Sequence, residues 1–271
     1  MQISLKPRMA WPMFGALVTA TLSTQVMAAG QTELGISYSS IEYVEPGVMR
    51  EEGNLFGFQG RFTNYGSTFV ALEVDYAFGD MDYEGSGTLQ DIPNNLFEMR
   101  ALFGPRLYQS TRSQLHAYAG IGQRYLSDDS SGMKTSTRTT GYTREQYYWY
   151  IPVGLNWQRS LASGWEVALR AEYDYFIAGR NYSGIDEVCG GSSGVFTQEG
   201  GKGYRFALKF TMPVSDGGGS LAIEPYYRYW DIGDSDTDYI STPRCTGPGY
   251  GYYYEPQNTS EEAGIGIRWV F

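Results

Sequence analysis

Few residues of this chain could do covalent or acid–base chemistry, and their spacing limits what that chemistry could be. There is one histidine, His116. It sits in a run where small apolar and polar residues alternate, and a lone histidine of that kind is usually a hydrogen-bonded filler. Without a second imidazole, neither a Ser-His-acid triad nor a histidine-bearing metal cluster can be assembled. Acid–base work by carboxylates alone stays open. Asp234-x-Asp236-x-Asp238 begins like a calcium loop, whose alternating carboxylates ligate a hard cation. Tyr239 then stands where such a loop needs glycine, and Cys245 where it needs the closing glutamate. The stretch therefore reads as a solvated acidic loop. Gly190-Gly191-Ser192-Ser193-Gly194 lacks the strand, lysine and helix of a phosphate loop and reads as a flexible linker. The expectation is no catalytic residue, no metal and no cofactor.

What the chain offers in quantity is charge at a fixed interval. From Thr32 onward about ten segments alternate with a period of two, the repeat of a β-strand whose successive side chains point to opposite faces. Val70, Leu72, Val74, Tyr76 and Phe78 oppose Glu73 and Asp75. Phe97, Met99, Ala101 and Phe103 oppose Glu98 and Arg100. Trp165, Val167, Leu169, Ala171, Tyr173, Tyr175 and Ile177 oppose Glu166, Arg170, Glu172 and Asp174. The same parity sets Phe56, Phe58 and Phe62 against Gln59 and Arg61, and Leu115 to Ile121 against His116, Tyr118 and Arg124. It sets Trp149 to Trp157 against Tyr148 and Tyr150, Tyr204 to Met212 against Arg205 and Lys209, and Leu221 and Ile223 against Glu224, Tyr226 and Arg228. Last, Ile265, Ile267, Trp269 and Phe271 oppose Glu262 and Arg268. Apolar faces that begin and end on aromatics, with charge opposite, fit a barrel turned inside out, with lipid outside and a polar lumen within. The fold class expected is all-β: a transmembrane, antiparallel, up-and-down barrel of about ten strands, with eight or twelve as alternatives. A soluble sandwich is disfavoured, because its exposed face would lack the lysine-rich edges that blunt aggregation.

The N-terminus agrees. Lys6 and Arg8 precede a largely apolar stretch, and Val26-Met27-Ala28-Ala29 supplies the small residues of a cleavage site, so residues 1–28 read as a secretory leader and 29–271 as one barrel domain. No cysteine stands directly after the cleavage site, which disfavours a lipoprotein. No later apolar run is long enough for a membrane helix. The net charge of −10, more negative once Lys6 and Arg8 are removed, argues against a nucleic-acid partner.

Connections alternate in length. Residues 64–67, 159–164, 213–219 and the somewhat longer 104–113 read as the short turns. Residues 44–54, 80–95, 127–144, 178–201 and 231–258 read as long loops. Short turns face the periplasm in such barrels, which places the long loops outside and both termini in the periplasm. Cys189 and Cys245 fall in neighbouring long loops on the oxidising side, so a disulfide is expected between them. Tyr250, Tyr252, Tyr253 and Tyr254 in the fifth loop are candidates for recognition.

Inside, Arg61, Arg100, Arg124, Arg170, Arg205, Lys209, Arg228 and Arg268 balance Glu73, Asp75, Glu98, Glu166, Glu172, Asp174, Glu224 and Glu262. A lumen too narrow to hydrate these charges must pair them, because each unpaired buried charge costs several kcal/mol, roughly. The expectation is a plugged, charge-laced interior.

Three stretches carry a family resemblance. The ending Ile265, Ile267, Trp269, Phe271 resembles the last strand of bacterial outer-membrane barrels, in which it implies an assembly signal read by the barrel-assembly machinery. His116-Ala117-Tyr118-Ala119-Gly120-Ile121-Gly122 resembles the Tyr-x-x-x-Gly-x-Gly strand of the OmpA-like and opacity-type families. Tyr227-Arg228-Tyr229-Trp230-Asp231-Ile232-Gly233 is similar to their penultimate strand. These families imply an outer-membrane barrel, most often of eight strands; ten-stranded relatives include omptin proteases and an Opc-type adhesin. The functional expectation is a non-enzymatic outer-membrane protein, surrounded by lipid and lipopolysaccharide, whose loops serve adhesion, ligand binding or envelope structure. A narrow porin-like channel is the alternative, and a rim hydrolase acting on peptide or lipid A the third.

Overall fold

The computed structural model describes residues 30–214 and 218–271. The leader expected over 1–28 lies outside the described residues, as does part of the 213–219 turn. Among the described residues thirteen strands are found: β1 (Gln31–Glu45), β2 (Met49–Tyr65), β3 (Thr68–Glu84), β4 (Thr88–Gln109), β5 (Ser113–Asp129), β6 (Thr143–Ser160), β7 (Glu166–Ser183), β8 (Gly194–Gln198), β9 (Gly201–Pro213), β10 (Ser220–Ile232), β11 (Asp238–Ser241), β12 (Tyr250–Tyr253) and β13 (Asn258–Val270). Among the same described residues one short helix, α1 (Ile185–Cys189), follows β7.

Ten of these strands close a ring. Each of β1 to β6 pairs antiparallel with the next, β6 pairs β7, and the ring continues through β9, β10 and β13 back to β1. First and last strands meet with Leu34 opposite Trp269 and Ile36 opposite Ile267. The short β8 pairs the outer end of β7, Gly179 opposite Gln198, in the register that β9 holds lower down with Tyr175 opposite Lys202. β11 and β12 form a separate hairpin.

The two parities separate as lipid and lumen require. Leu169 is 47% exposed and Phe206 51%, whereas Arg170 is 9% exposed and Glu172 5%. An exterior of Leu, Ile, Val, Phe and Trp around a buried ionised interior reverses the arrangement of a water-soluble protein. No helix among the described residues is long and apolar enough to cross a membrane.

Where the structure departs from expectation is at the long-loop end. Much of residues 44–54 and 80–95 is strand, with turns confined to 46–48 and 85–87. Above Tyr38, Phe56 and Phe78 the alternation continues with its sign inverted. Glu42, Glu52, Asp80 and Asp82 point outward, while Ile41, Tyr43, Leu55, Met81 and Leu96 point inward and pack together. Above the bilayer the outer wall faces water, and the inner wall must then supply its own apolar core. The 178–201 loop likewise holds the end of β7, α1 and β8, and the 231–258 loop holds the β11–β12 hairpin. The glycine stretch 190–194 is no free linker. The Ser192 amide donates to Ser241 O at 3.0 Å and the Ser241 amide to Ser192 Oγ at 3.1 Å. A Cβ on Gly191 would meet Ser241 O at 2.2 Å, at a positive φ of 85°, so only glycine allows this approach.

Candidate functional site

The sheet parity delivers charged side chains from nearly every wall to the barrel axis, and they form two linked layers. Nearest the short turns, Glu33 accepts from Lys209 Nζ at 2.7 Å and Arg268 Nε at 2.8 Å. Arg61 Nη1 donates to Glu224 at 2.7 Å, and Arg268 Nη2 lies 2.9 Å from the same carboxylate. Arg268 Nη1 also donates to Gln59 Oε1 at 2.7 Å. In the middle layer Arg100 bridges Glu73 and Glu172, and Arg170 donates to Glu73 at 2.6 Å. Arg205 spans Glu98, Glu172 and Asp174, and Arg228 reaches Asp75 and Glu262. Tyrosines close the remaining valences: Tyr118 donates to Glu172 at 2.8 Å, Tyr150 to Glu98 at 2.7 Å and Tyr226 to Glu262 at 2.9 Å. Guanidinium groups suit this work because their planar fork satisfies two carboxylates at once.

Two of the sixteen expected charges depart from the pairing. Arg124 is buried but makes no ion pair among the described residues; it donates to Ser260 Oγ at 3.4 Å and lies over the Tyr148 ring at 5.8 Å. It faces the start of an aromatic belt, so a ring face takes the place of a carboxylate. Glu166 is half-buried at the short-turn mouth and, among the described residues, accepts from Gln158 Nε2 at 3.4 Å. Glu33, missed by the sequence reading, takes its place as the eighth acid of the charged layers; its parity opposite Leu34 and Ile36 was the available signal.

Above the charged layers Tyr148, Tyr150, Phe176, Trp230 and Ile232 pack on one side, with Leu55, Ala77, Met81, Leu96 and Leu126 in a second buried cluster. At the rim beyond them, three carboxylates converge on Arg144: Glu45 at 3.0 Å, Glu51 at 2.7 Å and Asp128 at 2.8 Å. The Tyr43 hydroxyl lies 3.1 Å from Glu45 and 3.4 Å from Glu255, and accepts from Gln146 Nε2 at 2.7 Å. These residues lie above the outward apolar band. Burial, reinforced by Glu45, pushes the Glu255 carboxyl up to about 8; burial does the same to Glu51, where Arg144 opposes it and Asp128 and Glu45 add to it. This hub was hidden in sequence because its residues fell in segments read as loops.

The long-loop end carries a second constellation. Cys189 and Cys245 form the disulfide, tying α1 to the loop between β11 and β12, and the Arg244 amide donates to Cys189 O at 2.9 Å. On the hairpin, Tyr239 stacks on Tyr250 with ring centroids 5.5 Å apart and lies 4.7 Å from Tyr252. Tyr252 is 77% exposed, and Tyr239, Tyr250 and Tyr254 are also exposed. Tyr253 is not part of this surface. Strand alternation turns it to the other side, against Ile185, Cys189 and Ile240, with its hydroxyl donating to Thr242 Oγ1 at 3.3 Å.

The remaining candidates are placed as follows. His116 is buried at the short-turn end, its Nε2 3.2 Å from Gly66 O, beside Tyr65 and Phe69. Asp234, Asp236 and Asp238 diverge, accepting from the amides of Gln257, Thr197 and Tyr239. No group of three His, Cys, Asp or Glu able to hold a metal occurs among the described residues. Ile265 and Ile267 face outward on β13, Trp269 is half-exposed, and Phe271 follows the strand, exposed.

This fold has a solved counterpart. The outer membrane protease OmpT of Escherichia coli superposes on 89% of this chain and 96% of its own, with a TM-score of 0.57 at 10% identity. The fold is that of a bacterial outer-membrane β-barrel. At this identity the likeness to OmpT concerns the fold alone. Less similar in shape are the β domain of the Bordetella autotransporter BrkA, with a TM-score of 0.38 at 14% identity over 90% of this chain and 100% of its own, and the attachment invasion locus protein Ail of Yersinia pestis, with 0.33 at 11% over 89% and 99%. No protein-family profile and no curated protein matches this outer-membrane barrel.

Proposed function

We propose that this outer-membrane barrel is a non-enzymatic surface protein, closed to solute flow, that holds a partner outside the cell on the tyrosine platform of its longest loop. In this reading the short turns and both termini face the periplasm and the platform faces outward. The observation that carries it is the exposed Tyr239, Tyr250 and Tyr252 cluster, held in place by the disulfide. Exposed aromatics clustered on a braced hairpin supply large contact area with little ordering entropy left to lose. Asp236 and Asp238, three residues and one residue before Tyr239, are exposed carboxylates. Aromatic faces beside carboxylates favour a cationic partner, such as a basic peptide segment. The interior supports the same reading, since its charges are spent on one another and not on a lining for solute.

The test is adherence of cells displaying the protein to an immobilised oligo-lysine peptide. Changing Tyr239, Tyr250 and Tyr252 together to serine is expected to reduce adherence to the level of cells lacking the protein, with the barrel still folded by its heat-modifiable migration in gels. Undiminished adherence of the triple variant, or none by the unaltered protein, would overturn the proposal.

A further inference from the structure

Four carboxylates crowd the rim at the long-loop end, and one guanidinium answers them. Arg144 gives a separate nitrogen to each of three: Nη1 to Glu45, Nη2 to Glu51 and Nε to Asp128. The fourth, Glu255, makes no ion pair among the described residues. Its carboxyl lies 3.4 Å from the Tyr43 hydroxyl, which also lies 3.1 Å from Glu45 and accepts from Gln146 Nε2. Glu255 is 5% exposed and Glu45 4%. Tyr142 and Tyr148 are the other titratable groups beside Glu255, and both are neutral phenols. A buried carboxyl beside an ionised one, with no cation of its own, is strongly disfavoured as an anion. Protonated, it carries no charge and gains a donor.

The place of Glu255 in the chain gives that proton a consequence. Residues 254–257 belong to no strand and join the β11–β12 hairpin to β13. The Glu255 main chain holds Ser235 twice: its amide donates to Ser235 Oγ at 2.7 Å, and its carbonyl accepts from the Ser235 amide at 2.9 Å. Glu45, Glu51, Asp128 and Arg144 lie instead on β1, β2, β5 and β6, strands of the closed wall, so titration there frees no segment. We propose that Glu255 is a proton-operated clasp: neutral, it seats the end of the longest loop in the rim, and ionised on rising pH it leaves the rim and loosens that segment while the barrel stays closed. The clasp stands whether or not the tyrosine platform holds a partner. Burial and the neighbouring Glu45 push the docked carboxyl up to about 8, so it holds its proton more tightly than one released into water. Docking is therefore strongest in the ordinary carboxylate range and below, and weakens as pH rises through about 8.

The experiment is hydrogen–deuterium exchange of the whole barrel in detergent micelles at about pH 5.5 and about pH 8.5, either side of most of the linked titration, corrected for the intrinsic pH dependence of exchange. Protection of peptides spanning Ser235 and Glu255 is expected to fall about tenfold or more at the higher pH, since one linked proton gives up to about tenfold per pH unit. Peptides from β1 and β6 should stay protected at both. Glu255→Gln is neutral throughout and is expected to hold the loop's protection constant within about twofold, because no proton is then linked to docking. Loop protection that does not change with pH in the unaltered protein, or that falls equally in Glu255→Gln, would overturn the proposal.

Discussion

Replacing Arg205 with methionine is expected to lower the stability of the folded barrel by about 3–5 kcal/mol, the cost of stranding buried charges. Arg205 donates to Glu98 Oε2 at 2.6 Å and to Asp174 at 2.7 Å, lies 3.2 Å from Glu172, and donates to the Tyr150 hydroxyl at 3.1 Å. Its guanidinium also sits over the Tyr150 and Trp230 rings, at 5.5 and 6.0 Å. Methionine fills much of the volume but neutralises none of the three carboxylates. Urea unfolding of the protein in lipid vesicles reads the loss. The control is Lys202→Met, whose pair with Asp231 at 3.2 Å is largely exposed; its change should stay below about 1 kcal/mol. Adding Glu98→Leu to Arg205→Met should recover part of the loss, because one stranded charge goes with it. Equal, small effects of Arg205→Met and Lys202→Met would show that the lumen charges are hydrated and not paired.

Gly35→Val is expected to abolish assembly of the barrel. Gly35 lies on β1 opposite Arg268 of β13, at the seam where the first and last strands meet. A Cβ there would stand 2.0 Å from Ile267 O and 2.6 Å from Arg268 Cα, which are backbone atoms that cannot move without opening the seam. Glycine in a strand marks such a close backbone approach. Gly60→Val is the control, since its Cβ would meet only the Leu34 side chain, at 3.6 Å on the outer face. Heat-modifiable gel migration and protease resistance in membranes should be lost in the first variant and kept in the second. A folded Gly35→Val barrel would mean that the seam between β1 and β13 can open to admit a side chain.

The strands were legible in sequence because the bilayer enforces one rule on every crossing segment, apolar outward and charged inward. Trp165 to Ile177 against Glu166 to Asp174 is enough to read it. The pairing of Cys189 with Cys245 was legible for a similar reason, two cysteines in loops on the same side. Legibility ended where the solvent outside changed. Above Tyr38 and Phe56 the wall faces water, the pattern inverts, and Glu45, Glu51 and Asp128 became loop residues on paper although they surround Arg144 in the structure. Partner choice was hidden as well. Parity assigns Arg124 to the lumen but cannot show that it meets a tyrosine ring where the other arginines meet carboxylates. Tyr253 and Tyr252 are neighbours in sequence, and only the hairpin's pleat reveals that one packs beneath the loop while the other faces solvent.

Single-channel recording of the folded protein in a planar bilayer tests the closed, charge-laced lumen most directly. Bilayers containing inserted, protease-protected barrel should stay electrically silent at moderate voltage, because Arg100, Arg205 and Arg228 bridge the axis to facing carboxylates and the aromatic belt caps them. A steady open-channel current that scales with the amount of folded protein would contradict this.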